Sequence, residues 1–409
     1  MKSVYPPKEQ GHQFPSTKLR ILHVIGSADA ASGGPIEGIL RQEEATRHLA
    51  SREIVALDLP SPAGTRETTL KIHQLGETLP PMPGSRALRH YGYTSKLIPW
   101  LRDNASNYDV VIVNGLWNFA AFACSLTLPK ADKKYFVFTH GMMDPWFKKT
   151  YPLKHLAKIG FWLLVEGRLL AKARKVFFTS EEERRLAHGQ FPLWRYNEQV
   201  VGYGTAAPPP ASAAQRAAFQ ATSPQLGDNP YLLFLSRIHR KKGCDLLIEA
   251  FAKIAEQRPE LHLVIAGPDQ ENLVSVFQER AETLGIANRI HWPGMLKGDA
   301  KWGAYRGAEA FILPSHQENF GIVVAEAMAC GTPVLITNKV NIWREVEAAG
   351  AGLVENDDAE GAEALLRDWL AMDAKQRATM REAALHAFQT HFDVAQVAPA
   401  LIQTIKSSL

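Results

Sequence analysis

Cysteine is scarce in this chain: three residues in 409, at Cys124, Cys244 and Cys330. They are scattered through apolar segments without metal-ligand spacing. That excludes a zinc module or a disulfide framework and reads as reduced, buried thiols of a cytosolic protein. Long hydrophobic runs are missing too. The best candidate, 159–170, is interrupted by Glu166 and Arg168 and falls short of the ~18–20 apolar residues of a membrane span. The first eighteen residues are polar and contain prolines, unlike a secretory signal. Neither charge sign dominates: 46 basic against 42 acidic residues leave a formal net of +4. A dedicated nucleic-acid binder concentrates basic residues more heavily, so none is expected as a partner. No Gly-x-Gly-x-x-Gly fingerprint is present, which speaks against a nicotinamide dehydrogenase. No internal repeat is visible.

What the chain does have is a regular alternation. The runs Leu19–Ile25, Ile54–Leu59, Val110–Asn114, Tyr135–Thr139 and Val176–Thr179 read as strands, beside helical patterns at Ile36–Leu49, Ala87–Asn104 and Lys154–Lys172. β-branched runs that are apolar on both faces imply buried, parallel strands in an α/β layer fold. The stretch Thr205–Thr222, rich in Ala and Pro, has no strand signal and reads as an interdomain connection. The rhythm then restarts with strands at Tyr231–Leu235, Leu261–Ala266, Arg289–Trp292, Ala310–Leu313, Val334–Ile336 and Gly352–Val354. Helices are expected at Asp245–Gln257, Leu273–Leu284, Gly298–Gly307 and Phe320–Cys330, and throughout Ala359–Leu409. The length favours two domains. The expectation is α/β, two Rossmann-like doubly wound domains facing a cleft: 1–205, a linker 206–227, then 228–391. Ligands of such sheets bind beyond the strand C-terminal ends.

Several residue groups lie just after strands. Ser32-Gly33-Gly34-Pro35 could let the backbone approach a ligand or could be a plain turn. Thr139-His140-Gly141 places a histidine where it could meet a hydroxyl or handle a proton, or satisfy loop carbonyls. The loop Ser236-Arg237-Ile238-His239-Arg240-Lys241-Lys242-Gly243 puts a guanidinium and an ammonium at one edge, a set suited to a diphosphate. Ala266-Gly267-Pro268-Asp269 reads as an ordinary turn, and His291-Trp292-Pro293-Gly294 could present backbone groups to a base or simply be a turn ending a strand. Glu318-Asn319-Phe320-Gly321 leads into an apolar helix that carries Glu326 about one turn inside. A helix N-terminus flanked by two carboxylates is a cradle for an anionic, hydroxyl-rich ligand.

Taken together these residues resemble the family 4 retaining glycosyltransferases of GT-B architecture. The similarity is most specific across Ser236-Arg237, Lys241-Lys242-Gly243, Leu313-Pro314-Ser315 and Glu318-Asn319-Phe320-Gly321 through Glu326 to Gly331-Thr332-Pro333. It is looser at Gly33-Gly34 and His140-Gly141. The resemblance implies that Arg237 and Lys242 hold the donor diphosphate, and that Glu318 takes hydroxyls of the transferred sugar. Asn319, Phe320 and Gly321 would offer backbone N–H groups, Glu326 would take the ribose hydroxyls, Gly33 and Gly34 would approach the phosphates, and His140 would contact the sugar. It also implies that the C-terminal stretch 392–409 packs back on the first domain. One departure is Val201-Gly202-Tyr203-Gly204-Thr205, where the family often has Asn-Gly; no donor contact is carried over to that loop.

Departure of a nucleoside diphosphate builds negative charge that fixed cations can stabilise. No Asp-x-Asp pair occurs, so no divalent metal or other cofactor is expected, with Arg237 and Lys242 in its place. No carboxylate is placed as a nucleophile, which favours same-face attack over double displacement. Asp144 and Trp146 are acceptor candidates. They open a basic, aromatic stretch, 144–175, that could lie on an anionic membrane face or simply be a solvated helix packed by its aromatic side. The expected partners are therefore a nucleoside-diphosphate sugar, a saccharide or lipid-linked acceptor, and an anionic bilayer at the cytoplasmic face. Polysaccharide assembly is the implied setting. Inverting GT-B transferases, sugar-nucleotide epimerases and a non-catalytic sugar-nucleotide sensor are the alternatives.

Overall fold

The computed structural model describes residues 18–29, 33–60, 69–81 and 83–409. Ser32 and the segment 1–17 lie outside it, as do the side chains of Phe147 and Lys149. The chain divides into two units, one formed by Met1–Tyr203 with Val397–Leu409, the other by Gly204–Gln396.

The first unit holds a seven-stranded sheet of order β3-β2-β1-β4-β5-β6-β7. Its strands are β1 Leu19–Ile25, β2 Ala50–Ala56, β3 Lys71–Gln74, β4 Val110–Asn114, β5 Tyr135–Phe138, β6 Lys175–Phe178 and β7 Glu198–Val200. Every pairing is parallel. Covering helices bury both faces of the central strands, and β4 and β5 are buried at every position. That is why these strands are continuous apolar runs. One face carries Phe136, stacked on Phe177 at 5.0 Å, together with Ile21, Val110 and Ile112. Leu401, Ile402 and Ile405 of the last helix, Val394–Ser407, complete that layer. The edge strands β3 and β7 are only partly buried, and no sequence run announces β3.

The second unit holds a six-stranded parallel sheet of order β10-β9-β8-β11-β12-β13. The strands are β8 Tyr231–Leu235, β9 His262–Ala266, β10 Ile290–Gly294, β11 Ala310–Leu313, β12 Val334–Thr337 and β13 Gly352–Glu355. Strand order reverses between β8 and β11 here, and between β1 and β4 in the first sheet. These are the points at which an open α/β sheet leaves a crevice.

Several expected elements differ in the structure. The helix expected over Ala87–Asn104 is two, Ser85–Tyr91 and Leu97–Asn104. Gly92, with φ of 77°, ends the first by returning its N–H to the carbonyls of Leu88 and Arg89. The segment 206–227 is more than a connection. It carries the helix Ala213–Thr222, capped by Ser212, and belongs to the second unit. A side chain at Gly303 would collide with the Gln215 carbonyl, so the close contact of this helix with Gly298–Gly307 depends on that glycine. The helical tail is interrupted at Asp373, where a capping box restarts it, and again at Asp393.

The helical stretch of the first unit runs as Pro152–Phe161, a π-helical turn Trp162–Glu166, and Gly167–Lys172. It is apolar on both sides: Trp162, Val165, Leu169 and Leu170 are buried together with His155 and Glu166, whereas Leu153, Leu156 and Leu164 are exposed. Glu166 accepts the Trp117 backbone N–H through Oε1 at 3.2 Å, and Oε2 has no hydrogen-bond partner. Burial pushes its pKa up to about 7, against the opposing pull of backbone hydrogen bonds and of Lys158. A carboxyl whose folded pKa is raised contributes stability below its ordinary value, and that contribution is lost as pH rises through the folded value. Glu166→Gln is therefore expected to leave the melting temperature near about pH 4 unchanged and to raise stability at about pH 8.5 by roughly 2–3 kcal/mol. Parallel melting curves of the two proteins across this window would check it; an equal offset at both ends would refute it.

Candidate functional site

The second unit's cluster begins with β8. The chain leaves β8 at Ser236 and makes a short turn, Arg240–Lys242, before the helix Cys244–Ile254. The turn is held by His239, whose Nδ1 accepts the Lys241 N–H at 3.0 Å. Gly243 closes it with φ of 68°, and a side chain there would strike the Pro314 carbonyl. Only glycine lets the loop after β8 lie against the loop after β11. Ser315 then locks the two loops, its hydroxyl donating to the Lys241 carbonyl at 2.9 Å, and the His316 N–H donates to the same carbonyl at 2.8 Å.

This arrangement brings Lys242 and Glu318 together as an ion pair, Nζ to Oε2. The Lys242 side chain is 6% exposed and that of Glu318 23%. Glu318 is itself fixed by its backbone: its N–H donates to the Lys339 carbonyl at 2.9 Å, and its carbonyl accepts from Asn341 at 3.0 Å. Gly321, at φ 72° and ψ 60°, turns the chain into the helix Ile322–Ala329, which starts later than the expected Phe320. Phe320 is buried and meets Phe392 edge-on at 5.7 Å. Asn319 Oδ1 lies 3.4 Å from Asn341 Nδ2. Arg237 is exposed and held by Gln270 at 3.1 Å.

Glu326 lies deeper than Glu318. It is 4% exposed, with Lys301 Nζ 2.9 Å from Oε1 and the Tyr305 hydroxyl 3.3 Å from Oε2. A carboxylate this deep requires a counter-charge. Lys301, on the helix Gly298–Gly307, supplies it, and no spacing in the sequence pairs the two. Asp269 caps the helix Val274–Thr283 by accepting the N–H groups of Leu273 and Val274 at 2.9 and 3.0 Å. His291 lies 2.8 Å from His262 across adjacent strands, and burial lowers its pKa to about 4.

The first unit's cluster lies at the C-terminal ends of β1, β4 and β5. Gly33, with φ of 83° and ψ of −140°, precedes the helix Gly34–Thr46. The Tyr203 hydroxyl donates to the Gly34 carbonyl at 2.9 Å and fills the space a side chain on Gly38 would need. Tyr203, in the loop that departs from the family pattern, therefore props the glycine loop from behind.

His140 follows β5 with φ of 47°, a left-handed conformation that is strained for a side chain of this size. A buried carboxylate holds it there. Glu183 accepts the Thr139 hydroxyl and the Gly141 N–H through Oε1, both at 2.6 Å, and the Thr179 N–H and hydroxyl through Oε2, both at 2.7 Å. His140 Nε2 is 3.2 Å from Asn114 Oδ1, and Asn114 Nδ2 is 3.3 Å from His23 Nδ1. Burial lowers the His140 pKa to about 4 and that of His23 well below its usual range. With the Asn114 amide donating to His23, its oxygen accepts from His140 Nε2–H, leaving Nδ1 of His140 as the acceptor nitrogen. Asn114 and Glu183 were not singled out from the sequence; each sits at a strand end or helix start, but only the fold shows what it touches. Asp144 accepts the Trp146 N–H at 2.7 Å at the start of the helix Trp146–Thr150, and Trp146 packs edge-on against Tyr151 at 6.0 Å. Among the described residues no cluster of three His, Cys, Asp or Glu side chains could hold a metal ion.

Comparison with known proteins agrees with this architecture. Residues 215–386 match the family described as Glycosyl transferases group 1, and residues 34–204 match the Glycosyl transferase 4-like domain. The chain belongs to the family 4 GT-B glycosyltransferases. A mannosylfructose-phosphate synthase of Agrobacterium fabrum is 34% identical over 121 residues, 28% of this chain and 27% of that protein. A D-inositol 3-phosphate glycosyltransferase of Streptomyces avermitilis is 30% identical over 247 residues, 58% of this chain and 53% of that protein. The matched stretch thus spans about half or less of these relatives. Among solved structures, Anabaena HepE in complex with UDP and glucose superposes with a TM-score of 0.74 at 16% identity, over 95% of this chain and 100% of that one. Sucrose-phosphate synthase of Thermosynechococcus elongatus gives 0.74 at 20% identity, over 95% and 99%. At such identities the likeness concerns the fold.

Proposed function

We propose that this chain is a retaining glycosyltransferase that moves a sugar from a nucleoside-diphosphate sugar to a glycan or lipid-linked saccharide, in polysaccharide assembly on the cytoplasmic side. The observation that carries the proposal is the Lys242–Glu318 pair, its lysine buried and its carboxylate partly so, at the switch point of the second sheet, beside the N-terminus of the helix Ile322–Ala329. One partner suits an anion and the other suits hydroxyls, which is the chemistry of a sugar diphosphate. The complex of HepE with UDP and glucose supports the same class of donor.

In this reading Lys242 and Arg237 bind the diphosphate and stabilise the charge that grows on it as the anomeric C–O bond breaks. They perform this role without a divalent metal. Glu318 accepts hydrogen bonds from hydroxyls of the transferred sugar, and backbone N–H groups of Asn319, Phe320 and Gly321 add to the cradle. Glu326 serves the ribose, and Lys301, 2.9 Å from its Oε1, orients it. Gly33 and Gly34 serve the donor phosphates. Neutral His140 presents Nδ1 to a sugar hydroxyl, and Asp144 and Trp146 serve the acceptor. The acceptor hydroxyl attacks from the face the leaving group departs, its proton passing to the departing phosphate oxygen, so configuration is retained.

Thermal shift with a panel of UDP-, GDP- and ADP-sugars tests the donor, because a ligand that binds the folded state raises its melting temperature by mass action. One nucleotide class is expected to stabilise, and NMR of the product from its α-linked donor is expected to show an α-linkage. No stabilisation by any of the three, or an inverted product, would overturn the proposal.

A further inference from the structure

Water-facing positions of a helix are ordinarily polar and core-facing ones apolar. The stretch 152–168 departs from this, for it is apolar on its outer face as well as its inner one. Its exposed positions include Leu153, Leu156, Ala157, Gly160, Phe161, Leu164 and Arg168, spaced by three and four residues along a single face, with Pro152, Lys154 and Leu163 exposed beside it. Leu153 is 81% exposed, Leu156 64% and Leu164 73%. The opposite face buries His155, Trp162 and Glu166, and Lys158 turns inward to lie 5.0 Å over the Trp117 ring. Leu193, also 81% exposed, adjoins this face. Its neighbour Trp194 donates to the Leu163 carbonyl at 3.3 Å and packs where a side chain on Gly167 would be.

We propose that this face is a membrane-insertion surface for an anionic lipid bilayer. Charge distinguishes a bilayer from other occupants. Lys148, Lys154 and Arg168 are exposed beside the leucines, with Arg195 next along the loop. No acidic residue occurs anywhere from 145 to 165. A second copy of the same face would bring these cations against one another. An anionic headgroup layer receives them while the leucines enter the acyl boundary. The inward turn of Lys158 removes it from the basic residues of the stretch 144–175 that can face a membrane. The surface is also distinct from a spanning segment, since no described helix is long and apolar enough to cross a membrane.

The inference stands apart from glycosyl transfer, because its test contains no sugar. The full chain is sedimented with vesicles of phosphatidylglycerol and phosphatidylcholine mixed, and of phosphatidylcholine alone. Binding is expected to the anionic vesicles, weakening as salt is raised. The triple variant L153S/L156S/L164S is expected to lose about tenfold or more of that affinity while keeping its melting temperature, since all three side chains are exposed. K148Q/K154Q/R168Q is expected to weaken binding to the anionic vesicles. Failure of the wild type to sediment with anionic vesicles would overturn the inference. So would unchanged binding by the leucine variant, or concentration-dependent dimerisation that this variant abolishes without any vesicle binding.

Discussion

Lys242→Met is expected to lower kcat by about 10²–10³-fold, the loss typical when one preorganised group aimed at developing charge is removed. The ammonium sits 6% exposed, where water screens it little and its interaction with a departing diphosphate is correspondingly strong. The same substitution leaves Glu318 in its partly buried position without its counter-charge, which is expected to cost about 1–3 kcal/mol of stability. Adding Glu318→Gln separates the two effects. The double variant should regain most of the lost stability, since no unpaired charge remains, yet regain none of the turnover. Steady-state kinetics and melting curves of the four proteins in this cycle provide the check. Turnover within about tenfold of wild type in Lys242→Met would remove Lys242 from the proposed chemistry.

The second large effect is expected at Glu183, far in sequence from the groups usually associated with transfer. Glu183→Ala leaves four donors, two hydroxyls and two backbone N–H groups, without their acceptor. At about 1–3 kcal/mol for a buried unsatisfied group, partly relieved by rearrangement, a loss of roughly 3–5 kcal/mol follows. In a unit of this size that is a fall of about 10 °C or more in melting temperature. His140 gives the readout that separates positioning from mere support. Its left-handed backbone is stable only while the flanking Thr139 and Gly141 are held. Transfer is therefore expected to fall even at about 15 °C, where the variant remains folded. Full activity at that temperature would show that Glu183 supports the fold and leaves His140 in place.

Much of the architecture was legible in the sequence because parallel sheets bury both faces of their strands. Runs such as Val110–Asn114, Tyr231–Leu235 and Ala310–Leu313 need no context to be recognised. The edge strands β3 and β7 escaped or stayed vague because their half-exposed residues carry no apolar run. The Lys242 and Glu318 neighbourhood was legible from its position after β8 and β11, and the structure adds that the two side chains touch. Their roles in transfer rest on the proposal above. What stayed hidden was long-range pairing. Lys301 lies 25 residues from Glu326, and Glu183 lies 42 from Gly141. Nothing local to either carboxylate marks it as already engaged. The outward apolar face of the helix at 152–168 was hidden for a related reason. Periodicity shows that one face is apolar, but which face turns toward the sheet is decided by packing. Here Trp162, His155 and Glu166 won the interior.

The Lys242–Glu318 pair also bears on selectivity in a crowded cell. A cation and a carboxylate that satisfy each other present little net charge as a pair. Inorganic phosphate, or a nucleotide stripped of its sugar, can engage the ammonium only by stranding the carboxylate. A sugar diphosphate offers a substitute for both partners at once, anionic oxygens to one and hydroxyl donors to the other. In the proposed roles the pair would work as a filter that admits ligands by their two-ended chemistry, and once the sugar had left, it would favour discharge of the nucleotide that remains.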